Sequence, residues 1–167
     1  MAHSKHEEVR HRFGSACGYC GVSETDTGGQ LTVDHFVPLS AGGGDNDENL
    51  VYACFRCNLY KGDFFPTEEQ RNQGIRVLHP LLDDQSAHFR EEPSTCLLVP
   101  VTDTGRFHIR LLQLNRPELV FHRRRERILA LEAQQAELRE ARIAMLQHQI
   151  ATLERSIELL RQLLEKE

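Results

Sequence analysis

At 167 residues with a net charge of −5, the chain is long enough for one modest domain and an appendage and too short for two large domains. The N-terminal run MAHSKHEEVRHRF is polar and charged rather than a basic tip followed by an apolar run, and no stretch approaches the ~18 apolar residues of a membrane span, so the reading excludes a membrane protein and predicts a soluble one. A negative sum argues against a broadly basic nucleic-acid coat. Positive charge is confined to clusters, RHR at Arg10 to Arg12 and HRRRER at His122 to Arg127, each able to track a phosphate backbone locally or to sit as a solvated helix start.

In chain order, the first chemistry is the pair Cys17 and Cys20 in CGYC, matched further on by Cys54 and Cys57 in CFRC, with Cys96 alone. Each Cys-x-x-Cys turn offers two thiolates, and two such turns complete a tetrahedral sulfur site suited to Zn2+. Four cysteines leave no open position for water, so the site reads as structural. Paired cysteines without a secretory signal point to metal rather than disulfides, and to a reducing, cytoplasmic setting.

Between the pairs, Gln30 to Leu39 (QLTVDHFVPL) reads as a β segment, the turn-rich AGGGDND as a loop, NLVYAC as a second strand, and Phe55 to Lys61 as a short helix stopped at Gly62. Asp34 and Asn58 supply the oxygen ligands that a hard cation such as Mg2+ prefers, and a neutral His35 beside them is able to take a proton from water. Singly these residues have ordinary roles as turn acceptor, strand residue and helix cap. Their joint appearance between paired cysteines favours the metal-and-base reading over these ordinary roles.

The run CGYC followed by VDHFVPLSAGGGDNDENLVYACFRCNLYKGD resembles the zinc-containing HNH endonucleases of the ββα-metal (His-Me finger) superfamily, with His35, Asn49 and Asn58 in the three name positions. The resemblance implies that His35 is the general base, that Asp34 and Asn58 hold Mg2+ or Mn2+, and that Asn49 braces the loop that orients His35. Lys61 is either a phosphate contact or an exposed solvating lysine, and Arg123, Arg124 and Arg125 are further candidate phosphate contacts. Asn58 stands where many relatives have histidine, and no basic residue precedes the glycines near Ala41.

Beyond Pro66 the sequence is irregular until CLLVPVTDTGRFHIRLLQL, which reads as two β runs around an Asp-Thr-Gly turn. His79, His88, His108 and Cys96 read as structural. A long helix opens after Asn115 as N-cap, with Pro117 in the first turn and Glu118 as a capping-box acid, and no later Gly or Pro interrupts it before the chain end. Along it Ile143, Leu146, Ile150, Leu153, Ile157, Leu160 and Leu164 alternate in steps of three and four with Ile at a and Leu at d, the pattern of a parallel two-stranded coiled coil. Ile128, Leu131, Leu138 and Met145 form a shifted stripe, and Leu159 and Leu163 widen the apolar face, as folding back onto the domain would also require.

The fold class expected is therefore α+β, with an HNH core over residues 1–65, a β-rich extension over 66–115 and a long helix over 116–167. The function expected is metal-dependent endonuclease cleavage of nucleic acid, DNA before RNA, with self-association or partner docking through the helix. A non-catalytic zinc module, or a nuclease subunit of a larger complex, is the competing reading; Asp34, His35, Asn49 and Asn58 would be surplus to the first of these.

Overall fold

The computed structural model describes residues 2–164. Helix α1 (Ala2–Arg12) runs into the first cysteine turn, and the single turn α2 (Glu24–Thr27) starts on a capping box in which Ser23 and Asp26 each bind the other's backbone amide. Strand β1 (Thr32–His35) pairs antiparallel with β2 (Leu50–Ala53), with Asp34 opposite Val51 and His35 opposite Leu50. β1 is shorter than its apolar run because Pro38 and the glycines behind it cannot extend the ladder. All four residues of β2 are buried. The Cys54 sulfur caps α3 (Phe55–Lys61) by accepting from the Cys57 amide, and Gly62 ends it at a φ of +48° with its N–H on the Asn58 carbonyl. Strand, loop, strand and short helix thus follow the expected order. The core behind them gathers Val9, Tyr19, Val51, Tyr52, Cys57, Leu112, Leu114 and Leu119.

The segment after Pro66 departs from the expected hairpin. It holds α4 (Glu68–Asn72), opened by a Thr67–Gln70 capping box, and a small antiparallel sheet of β3 (Phe89–Glu91) and β4 (Leu98–Pro100). The Asp-Thr-Gly stretch does not turn the chain between strands: Thr102 caps α5 (Asp103–Leu111) by accepting from the Gly105 amide, and Asp103 sits in the first turn. Thr102 and Asp103 are helix-start residues as well as turn residues, and α5 buries Thr104, Gly105, His108 and Ile109 on one face. The strand partner of β4 is β3, earlier in the chain.

Helix α6 (Pro117–Leu164) opens near the expected place but without the expected cap. The Asn115 side chain instead binds both backbone groups of Leu98, at 2.8 Å each, tying β4 down, while Glu118 lies 3.7 Å from Arg56. The fold is α+β, a ββα core held by cysteines with small antiparallel sheets and a long C-terminal helix. The chain divides into two compact units, up to Arg123 and from Arg124 onward. In the second, residues 124–164 are helix, and Ile143, Leu146, Ile150, Leu153, Ile157, Leu160 and Leu164 are all exposed. The last three residues, also expected to be helical, lie outside the described residues. Among the described residues no helix is long and apolar enough to cross a membrane.

Candidate active site

Cys17, Cys20, Cys54 and Cys57 bring their sulfurs within 4.8 Å of one another. The Cys20 and Cys54 sulfurs are 3.7 Å apart, close to the roughly 3.8 Å edge of a tetrahedron with ~2.3 Å Zn–S bonds. Crowding pulls the thiols apart in acidity: Cys17 and Cys54 are pushed down and Cys20 and Cys57 up, each chiefly by hydrogen bonding to another cysteine of the group. Four sulfurs at this spacing are the donor set of a structural Zn2+, which would hold all four as thiolates. Four thiolates around Zn2+ leave a net negative charge, and the Arg116 guanidinium lies 3.8 Å from the Cys54 sulfur and 3.8 Å from that of Cys57. Arg116 is an outer partner of the cluster that the sequence motif does not mark.

The loop of residues 36–49 is organised by Asn49, which is 6% exposed. Its side-chain oxygen accepts from the Val37 amide at 2.7 Å, and its NH2 donates to the carbonyls of Val37 at 3.0 Å and Gly44 at 2.9 Å. Gly43 passes so close that a Cβ there would meet the Val37 carbonyl oxygen at 1.8 Å. From outside, α1 adds two anchors: Lys5 donates to the Asp45 carbonyl and Arg12 to that of Asp47. Arg10 binds Glu24 and Glu7. The RHR arginines are therefore paired within the protein.

The loop brings Asp45 to His35, where Nε2 and the carboxylate Oδ1 are 2.8 Å apart. This bond holds the Asp45 carboxyl below its usual range. An ionised Asp45 only accepts, so Nε2 carries a proton, and in the neutral imidazole Nδ1 is then the nitrogen with the lone pair. Asp45 was not among the sequence candidates, because the GGGDND run reads as turn chemistry.

On the other face of β1, Asp34 is 6% exposed and holds two donors, the Tyr19 hydroxyl at 2.6 Å and the Lys61 ammonium at 3.1 Å. Burial pushes its carboxyl upward, while Lys61 and Tyr19 favour the ionised form. Tyr19 is pushed well above its usual range by burial and then by Asp34, and stays a donor. Lys61 is 2% exposed and also donates to the His35 carbonyl at 2.7 Å, so its ammonium faces inward rather than solvent. Asn58, three residues before Lys61 on α3, donates through its NH2 to the Thr32 hydroxyl at 3.1 Å, which leaves its amide oxygen for another partner. Both carboxylate oxygens of Asp34 are thus engaged, Oδ2 by the Tyr19 hydroxyl and Oδ1 by the Lys61 ammonium, while carboxylate and amide oxygens are the donors a hard divalent ion prefers.

Residues 17–64 match the family model for the HNH endonuclease. This segment is an HNH endonuclease domain. No curated protein and no solved structure matches the chain. Of the candidate residues in this segment, His35 lies at the end of β1, Asn49 at the end of the loop and Asn58 on α3. Of the basic candidates outside it, Arg123 is committed to the carbonyls of Cys96 at 2.8 Å and Leu114 at 3.0 Å and to Asn115. Arg124 and Arg125 begin the second unit, exposed, with Arg125 3.0 Å from Glu126. His79 and His108 are buried as packing residues: His79 bonds the Glu48 carbonyl, and His108 Nδ1 accepts from the Leu78 amide at 3.0 Å.

Proposed function

We propose that the HNH domain hydrolyses phosphodiester bonds of nucleic acid, with DNA as the first substrate, by general-base catalysis from His35. The observation that carries this reading is the 2.8 Å bond between His35 and Asp45 in a loop locked by Asn49. A base must be oriented by a third group and keep one nitrogen unprotonated, and Asp45 supplies the first while leaving Nδ1 for the second. His35 Nδ1 takes a proton from water, the water oxygen forms the new bond to phosphorus, and the bond to the leaving sugar oxygen breaks. Asn49 holds the loop and touches no substrate; it is a positioning residue, as is Asp45.

Asp34 and Asn58 would hold Mg2+ or Mn2+, whose charge, when bound, offsets that of the phosphate and the leaving oxygen. Tyr19 and Lys61 keep Asp34 in place, and Lys61, through the His35 carbonyl, fixes the end of β1. The cysteine cluster would carry Zn2+ as a staple between the first turn and α3. Exposed Arg124 and Arg125 are the remaining candidates for backbone contact. The apolar a and d row of α6 supports a homodimer through a parallel coiled coil, with docking to a partner protein as the alternative, and paired cysteines support a cytoplasmic setting.

The test is cleavage of supercoiled plasmid and of RNA by the purified chain with added Mg2+ or Mn2+ and with the ions removed by chelation. Ion-dependent nicking of the plasmid is expected. Intact plasmid and RNA under both ions would overturn the nuclease reading and leave a zinc-stapled binding module.

A further inference from the structure

We propose that the cavity beside the His35 loop is a nucleobase pocket, which takes one unstacked base of the strand whose phosphodiester the HNH domain attacks; the inference rests on the nuclease reading and adds the form of the substrate. The cavity, of about 690 Å3, is lined by Phe36, Gly43, Asn49, Phe64, Phe65 and Arg71 among others. Phe36 follows His35 directly in the chain, and consecutive Cα atoms are ~3.8 Å apart. The pocket therefore begins one residue from the proposed base.

Its rings are propped for stacking. Phe36 stands edge-on to His79 at 4.5 Å, and Phe64 leans on Phe107 at 5.0 Å. Phe65 carries the Arg71 guanidinium over its face at 4.7 Å. The two arginines of the cavity differ. Arg76 is held by both oxygens of Asp83, at 2.7 and 2.8 Å, and is neutralised. Arg71 is exposed and pairs with no carboxylate among the described residues, so it is an unneutralised cation stacked on the Phe65 ring at the cavity. Of the acids at the cavity, Asp83 is spent on Arg76 and Glu48 is exposed to solvent. An aromatic slot with a single unneutralised guanidinium fits a ligand that joins a π face to a phosphate, which describes a nucleotide within a strand better than an apolar molecule or a peptide. Asn49 has its oxygen and NH2 committed to the loop. It is not available to read a base edge.

The chain contains no tryptophan, so Phe65→Trp places a single reporter in the pocket. The full chain, without added Mg2+ or Mn2+, is titrated with 12-nucleotide thymidine DNA, with uridine RNA of the same length, and with an all-abasic strand of equal charge. The fluorescence of Phe65→Trp should be quenched by a base-bearing strand and not by the abasic one, and a response to either DNA or RNA supports the pocket, the stronger naming its source. By anisotropy the parent should prefer the base-bearing strand by roughly 5- to 150-fold, the worth of one stacked base, and Phe65→Ala and Arg71→Ala should each reduce that preference. Equal binding of base-bearing and abasic strands by the parent, or a preference that survives both substitutions, would overturn the pocket even if plasmid cleavage persists. Base-dependent binding that the substitutions abolish, in a chain that cleaves nothing, would keep the pocket and remove the nuclease reading.

Discussion

Between β1 and β2, residues 36–49 contain only two single turns of 3-10 helix, yet Asn49, Gly43, Lys5 and Arg12 fix them through backbone groups from inside and outside. Residues 124–164 are helix from end to end, yet their large apolar side chains are exposed. The comparison separates two properties that are easily run together. Regular secondary structure follows from local propensity, here a run without Gly or Pro; a fixed position follows from tertiary partners, which the irregular loop has in full and the helix, taken by itself, lacks.

The loop side of the comparison breaks most severely at the metal. Cys54→Ser removes one zinc ligand and the cap of α3 together, and it should abolish the cooperative unfolding of the first unit and its bound zinc, read by elemental analysis and far-UV circular dichroism. A folded, zinc-free variant would show that the cysteines only pack. Asn49→Ala strips three hydrogen bonds from the loop and should cost about 2–4 kcal/mol in urea unfolding. A cost below ~0.5 kcal/mol, the level of an ordinary surface substitution, would show that α1 and Gly43 hold the loop without it.

A smaller effect comes from pH. Burial holds the His108 imidazole down at about 4, from a usual 6.5, with Arg76 and His88 acting in the same direction and Asp83 against it. The unfolded chain therefore takes the proton first as pH falls, so stability is full above ~6.5 and declines toward ~4 by about 3 kcal/mol. His108→Asn keeps an acceptor for the Leu78 amide and should flatten the urea midpoint across that window; an unchanged slope would place the dependence elsewhere. Glu24, held down at about 2 by Arg10 and Tyr52, loses its contribution only below ~4.5. On the helix side, Ile150→Glu with Ile157→Glu should convert a dimer to a monomer by light scattering while leaving the urea stability of the first unit unchanged. A parent already monomeric at micromolar concentration would end the coiled-coil proposal.

Much of this was legible in the residues. The cysteine spacing, the order of strand, loop, strand and helix and the stop at Gly62 all have signals within a few residues of themselves. What escaped depends on partners distant in sequence. Tyr19 and Lys61 lie 15 and 27 residues from Asp34, and nothing in CGYC or LYKGD marks an inward hydroxyl or ammonium. Asp45 is ten residues from His35 across a run that reads as turn. Arg116 reaches the cysteines across 59 residues or more. The misread Asp-Thr-Gly segment shows the local limit: Thr and Asp serve turns and helix starts alike, and burial of the α5 face decides between them.

The central claim is that His35 acts as base and that Asp45 acts through it, and the most direct test is a double-mutant cycle on the plasmid cleavage rate. His35→Ala should lower the rate by roughly 10^2- to 10^4-fold, with zinc content and fold retained. Asp45→Ala should lower it less, and adding Asp45→Ala to His35→Ala should change nothing further. Cleavage by His35→Ala at the parental rate, or a full additional loss from Asp45→Ala in the His35→Ala background, would contradict the account.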